Sequence, residues 1–137
     1  MKSGNKRSFA GEKFIGIGID IVDIPRFRKT LVRRGRRFID RIFLPSEQKY
    51  CRAKASPWVH YAGRFAAKEA VAKAFGTGIG GEIGWLDIEI VSSGSGAPVV
   101  ILSSRARRLM RARRVKSVAA SISHTHASTM AAALLTA

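Results

Sequence analysis

At 137 residues, 46% of them hydrophobic and 25% charged, the chain has room for one sizeable core; it is neither a disordered polyelectrolyte nor two ordinary domains. Its net charge of +16, from 25 Lys and Arg against 9 Asp and Glu, calls for an anionic partner: nucleic acid, an anionic membrane surface, a polyphosphate cofactor or an acidic protein. No apolar run approaches the roughly 18 residues that cross a bilayer, and the lone Cys51 excludes an internal disulfide and suits a reducing cytoplasm.

Residues 1–13, "MKSGNKRSFAGEK", are basic and polar and carry no apolar segment of the secretory kind, so they read as a loose extension ahead of one domain over residues 14–137. "FIGIGIDIVDI" then predicts a strand. Side chains alternate across a strand, so Ile15, Ile17, Ile19 and Ile21 share one face, which reads as core. Gly16, Gly18, Asp20 and Val22 share the other, stripped of side chains as if something lies close to the backbone before Asp20 is presented. Pro25 opens a helix that carries Phe27 and Leu31 and stops at Gly35. A short apolar helical piece follows with Phe38, Ile39, Ile42 and Phe43, and Pro45-Ser46-Glu47 starts another through about Ala53. Ser56 and Pro57 read as N-cap and first position of the longest helix, about Trp58 to Phe75. "WLDIEIV" and "APVVIL" form a hairpin around "SSGSGAP", Ser103 or Ser104 caps a basic helix to about Arg113, and two apolar strands close the chain around "HTHAS". Strand, helices, hairpin, helix and strands in that order predict an α+β fold.

On the long helix, Trp58, Tyr61, Ala62, Phe65 and Ala72 fall on one face with Glu69 near its middle. A carboxylate there needs a partner, a proton or a metal. Lys73, one turn on, offers an ordinary i,i+4 ion pair, and that reading stands beside a functional one. Arg64 and Lys68, on a neighbouring face, could grip phosphate oxygens together with Lys73. "GTGIGG" follows the helix instead of preceding one, so it reads as a C-terminal cap and loop more readily than as a phosphate cradle. His124 stands where an apolar strand ends, a common place for a working histidine; with His126 alone it makes a weak zinc site. Asp20 and Glu69 are oxygen ligands suited to a hard cation such as Mg²⁺. No Gly-x-Ser-x-Gly elbow occurs, and Cys51 has no histidine close to it in sequence, so covalent catalysis has no support.

The motifs "GIGIDIVDIPRF", "AGRFAAKEAVAKAFGTGIG", "LDIEIV", "GAPVVI" and "SISHTHASTMAAALL", in this order from about Ile15 to the end, resemble those of the small bacterial holo-acyl carrier protein synthases, which are 4'-phosphopantetheinyl transferases. The resemblance implies transfer of the phosphopantetheine arm of coenzyme A to a serine of an acyl carrier protein, with release of adenosine 3',5'-bisphosphate, in fatty acid biosynthesis in the cytoplasm. It implies that Asp20 and Glu69 bind Mg²⁺, that Lys73 lies near the phosphates and stabilises the leaving group, and that His124 and Arg64 serve the coenzyme A pocket. Arg26 matches the basic position that meets the acidic carrier, with Arg33 and Arg36 extending that patch. Glu69, acting through a metal-bound water, is the preferred base. The resemblance also implies a homotrimer with active sites between subunits, and such an interface would account for the apolar circumference of the long helix. Two departures stand out: Ala97 replaces the lysine common in the Gly-Lys-Pro turn, and the first helix carries more arginine than the pattern leads one to expect.

The rival readings are a nucleic-acid binding module built on the arginine runs and a structural subunit of an assembly. The first lacks interleaved aromatics and any helix-turn-helix or zinc-finger pattern. The second leaves the two carboxylates on separate elements unexplained. The expected partners are therefore coenzyme A and an acidic carrier, with no nucleic acid and no membrane.

Overall fold

The computed structural model describes Gly11 and residues 13–137. In chain order it runs β1 (Phe14–Asp23), α1 (Ile24–Arg34), α2 (Arg36–Ile42), α3 (Pro45–Arg52), α4 (Pro57–Ala74), a 3-10 turn at Trp85–Asp87, β2 (Ile88–Ser92), β3 (Pro98–Leu102), α5 (Ser104–Ala112), β4 (Ser117–His124) and β5 (Ser128–Thr136). The α+β class is as the element order predicts. Apart from Gly11 and Lys13, the extension expected over residues 1–13 lies outside the described residues.

Two small antiparallel sheets form, one ordered β1-β5-β4 and the other the β2-β3 hairpin. In the first, Asp20 stands opposite Ala131, which stands opposite Ile122. Val22, Ala131, Ala133, Leu135 and Val118 turn to α4 and are buried. Helix α4 is the centre of the molecule: it packs on all three strands of this sheet and also on α1, α3 and β2.

The glycines of β1 explain how the strand meets that helix. A methyl placed on Gly18 would stand 1.8 Å from the Ala70 carbonyl oxygen, and one on Gly16 would stand 2.4 Å from the Ala74 carbonyl oxygen. What lies close to the stripped face is therefore the backbone of α4 itself. The isoleucine face, expected as core, is the opposite one and is left open: Ile17 is 68% exposed and Ile21 65%, with Ile15, Ile19 and Met130 also exposed. Nor does α4 need an interface to explain its apolar circumference, because neighbouring elements of the same chain cover it. Between Tyr61 and Ala74 only Phe65, Glu69 and Lys73 escape full burial, one stripe at four-residue spacing.

Local signals mostly match. Gly35 ends α1 with φ 75°, its N–H donating to Leu31 O at 2.9 Å. Gly76, at φ 78°, closes α4, and the N–H groups of Thr77 and Gly78 return to Ala72 O, so "GTGIGG" is a helix cap and loop. Of the two serine candidates, Ser103 caps α5, its Oγ accepting from Ala106 N at 3.1 Å. Two readings change. Ser56 makes no side-chain cap to α4, leaving Pro57 as the start signal. Trp85, Leu86 and Asp87 form the 3-10 turn, so the strand begins only at Ile88.

Because the atoms facing Gly18 are backbone and cannot swing away, Gly18→Ala should destabilise the fold by about 1–3 kcal/mol or more, the cost of overpacking a close contact. Urea unfolding reads this as a lower midpoint. An unchanged midpoint would mean that β1 does not rest on α4 in solution.

Candidate active site

The contact between β1 and α4 sets Asp20, two residues after Gly18, beside the open stripe of the helix. Lys73 Nζ lies 3.0 Å from Asp20 Oδ1 and donates to Ile19 O at 3.1 Å. The i,i+4 partnership of Lys73 with Glu69 is thus replaced by one across elements. The Lys73 side chain is half exposed, and such a pair adds at most about 1 kcal/mol to stability, so its geometry matters more than its strength. Glu69 is half-buried. Burial first, and then the neighbouring Asp20 carboxylate, hold its carboxyl above the ordinary glutamate range, while Lys73 pulls partly the other way. Asp20, Glu69 and Lys73, predicted from two separate motifs, therefore form one cluster.

This cluster suits a hard divalent cation. Two carboxylates that repel each other, with one amine compensating, are a donor set that Mg²⁺ can complete with substrate phosphates and water. Among the described residues no group of three or more His, Cys, Asp or Glu side chains is placed to hold a metal, so a cation at Asp20 and Glu69 would need substrate or water oxygens to complete its coordination.

Arg64 and His124 meet elsewhere, on the walls of a cavity of about 160 Å³ that also includes His60, Ser92 and Thr129. Arg64 is buried. Its guanidinium lies 3.9 Å from the centre of the Tyr50 ring, Nη2 donates to Ser92 Oγ at 3.4 Å, and Nε is buried without a partner among the described residues. An orphaned guanidinium N–H in a cavity is costly unless a ligand or water takes it. Burial, followed by the charge of Arg64, pushes His60 down, so it tends to be neutral. His60, one turn before Arg64 on α4, is an addition that helical spacing could have offered, whereas Tyr50 and Ser92 come from α3 and β2, where spacing gives no reason to pick them.

Lys68 departs from expectation. It is fully buried and grips nothing outside the protein: Nζ donates to Glu47 Oε1 at 2.6 Å, Ile42 O at 2.7 Å and Trp85 O at 3.0 Å. Glu47 in turn accepts from Leu44 N and Ile90 N. Burial lowers the Lys68 pKa and Glu47 raises it again; with every donor of the ammonium used, the pair acts as a polar rivet joining α3, α4 and β2. Cys51 is equally inert, fully buried with its thiol pushed up to about 12 by burial.

Of the basic positions, Arg26 and Arg33 are exposed on α1 and Arg36 is exposed at the start of α2, 3.7 Å from Asp40. Arg36 also lines a groove of about 420 Å³ walled by Leu31, Val32, Ile39, Trp58 and Tyr61. Arg28 lies over the Trp58 ring at 5.4 Å.

A family model described as the 4'-phosphopantetheinyl transferase superfamily matches residues 16–131. The holo-[acyl-carrier-protein] synthase of Protochlamydia amoebophila is 44% identical over 112 residues, 82% of this chain and 89% of that one. Among solved structures, the Helicobacter pylori holo-[acyl-carrier-protein] synthase in complex with coenzyme A aligns at 39% identity with a TM-score of 0.78, covering 87% of this chain and 98% of that one. The Neisseria meningitidis holo-[acyl-carrier-protein] synthase aligns at 31% identity with a TM-score of 0.84, covering 90% and 98%. The chain therefore belongs to the 4'-phosphopantetheinyl transferase superfamily and, within it, to the holo-acyl carrier protein synthase family.

Removing the ammonium from the buried pair strands a carboxylate in the core, which typically costs about 3–5 kcal/mol. Lys68→Met should lower the unfolding free energy by that amount in urea titration. A loss below about 1 kcal/mol would return Lys68 to the pool of phosphate-binding candidates.

Proposed function

We propose that this chain moves the 4'-phosphopantetheine arm of coenzyme A onto a serine of an apo acyl carrier protein, releasing adenosine 3',5'-bisphosphate, and so serves fatty acid biosynthesis in the cytoplasm. The observation that carries this reading is the convergence of Asp20, Glu69 and Lys73 on the one open stripe of α4. The names of the relatives, and the coenzyme A bound to the Helicobacter pylori enzyme, support the same substrate.

Asp20 and Glu69 would hold Mg²⁺, which when bound supplies neutralisation of the charged diphosphate. The carrier serine Oγ attacks the β-phosphorus of coenzyme A; a new P–O bond forms, and the bond from that phosphorus to the bridging oxygen breaks with its electrons leaving on the α-phosphate of the bisphosphate. The serine proton is taken by Glu69 acting as base through a water. Lys73 Nζ, half exposed beside Asp20, turns toward the leaving phosphate and offsets its new charge. Arg64, with its unpartnered Nε, and His124 bind the cofactor's phosphates from the cavity they share.

Arg26, Arg33 and Arg36 form the face that receives the acidic carrier, and the groove beside Arg36 offers it apolar anchorage. A homotrimer with active sites between subunits is supported by the uncovered isoleucine face of β1. Burying an isoleucine contributes about 1.5–3 kcal/mol, so several together can hold subunits in place.

The function is tested by mass. Apo carrier incubated with the protein, coenzyme A and Mg²⁺ should gain the arm. Asp20→Ala and Glu69→Ala should each abolish the gain while keeping native unfolding midpoints; full transfer by either variant at saturating Mg²⁺ would remove it from the site.

Docking is tested by charge reversal. Arg26→Glu should raise the KM for the carrier at least tenfold with little change in the KM for coenzyme A, and Arg111→Glu on the basic helix α5 should do much less, both read at one ionic strength. Equal losses would mean a diffuse field in place of a docking face.

A further inference from the structure

The described residues contain a second cleft that the proposed transfer does not use. It measures about 350 Å³, more than twice the cavity of Arg64, and shares no residue with that cavity or with the Asp20 cluster. Ile15, Phe75, Val115 and Leu135 wall it, from the start of β1, the end of α4, the segment before β4 and the end of β5, and Ala74 and Ala137 complete the lining, Ala137 N donating to Lys13 O. Three cations line it with them: Lys13, Arg113 and Arg114. Arg113 is committed, donating to Phe75 O and lying 3.1 Å from Glu82 Oε2, so it serves as a fixed wall. Lys13 and Arg114 make no ion pair among the described residues.

Arg114 is set beside the cleft by the turn that ends α5. Its φ of 55° is the only positive φ of a non-glycine residue among those described, and it falls just past α5, where glycine is the favoured helix terminator. The turn closes with Arg114 N donating to Arg111 O and Val115 N donating to Met110 O. Glycine would form it without strain. Arginine there takes a backbone that glycine adopts more easily, and its guanidinium, which makes no ion pair among the described residues, lines an apolar cleft.

We propose that this cleft binds a single-chain amphiphile with an anionic head, a medium-chain carboxylate in the simplest case. The apolar walls gain by taking a hydrocarbon chain out of water, and the volume lies in the range of small-molecule pockets. The carboxylate accepts paired hydrogen bonds from Arg114, with Lys13 adding charge. A bare phosphate leaves the walls unused, and a neutral chain leaves the cations unused.

The test is calorimetric titration of the full chain with decanoate below its micelle concentration, beside decanol and inorganic phosphate. The expected result is one decanoate per chain, bound at least tenfold tighter than decanol and not displaced by phosphate. Arg114→Gly should weaken decanoate at least tenfold while leaving the thermal midpoint equal or higher, since glycine relieves the positive φ. Its phosphopantetheine transfer should be unchanged, a readout that separates this proposal from the transferase reading. Decanol binding as tightly as decanoate, displacement by phosphate, or unchanged affinity in Arg114→Gly would each overturn the proposal. So would several decanoates per chain that ignore Arg114→Gly, which would mean adsorption away from the cleft.

Discussion

Everything at the candidate site depends on how closely one strand can approach one helix. An ordinary side chain on β1 would hold α4 away by its own thickness. Two glycines let the strand rest on the helix backbone, with room for no more than hydrogen at Gly18. That contact sets Asp20 against the stripe of Glu69 and Lys73, so carboxylates from two separate elements can act as one donor set. The cost is a half-buried Glu69, held above the ordinary glutamate range by burial first and then by the neighbouring Asp20 carboxylate. A cation in that place offsets a repulsion that the fold itself imposes.

The second constraint is the rivet of Lys68 and Glu47. Helix α4 carries residues for three purposes at different angles: the site stripe, the cavity arginine and this buried pair. A helix that shows a substrate to one side must be held immobile on the others. The fully satisfied ammonium does so by linking α4 to α3 and β2 at a defined register. The pair is a device for position more than a source of net stability, because removing two charges from water offsets much of their attraction.

The legibility of the sequence follows from these geometries. Asp20 and Glu69 stand out because each interrupts a pattern that predicts an apolar or glycine side chain. Capping residues such as Gly35 and Gly76 are legible because their cause is local. Alternation along β1 says that its two faces differ, but not which one the same chain covers, so the isoleucines read as core although they face outward. Helical spacing gives Lys68 an angle and nothing about what occupies it; its partner Glu47 is 21 residues earlier, on another element. Tyr50 and Ser92 at the Arg64 cavity are hidden for the same reason. The resemblance to the synthase family supplies what spacing cannot, the identity of the transferred group, and the matches along residues 16–131 bear out the family.

The central claim is that β1 and α4 assemble one metal-binding pair from Asp20 and Glu69. Manganese, a spectroscopic substitute for Mg²⁺, reads it without reference to turnover: free Mn²⁺ is counted by electron paramagnetic resonance as the protein is titrated in the presence of coenzyme A. The account predicts one site per chain in the unaltered protein, lost or weakened at least tenfold in both Asp20→Asn and Glu69→Gln. Undiminished binding in either variant would contradict it, because a site that survives the loss of one carboxylate is not the pair that the glycine contact brings together.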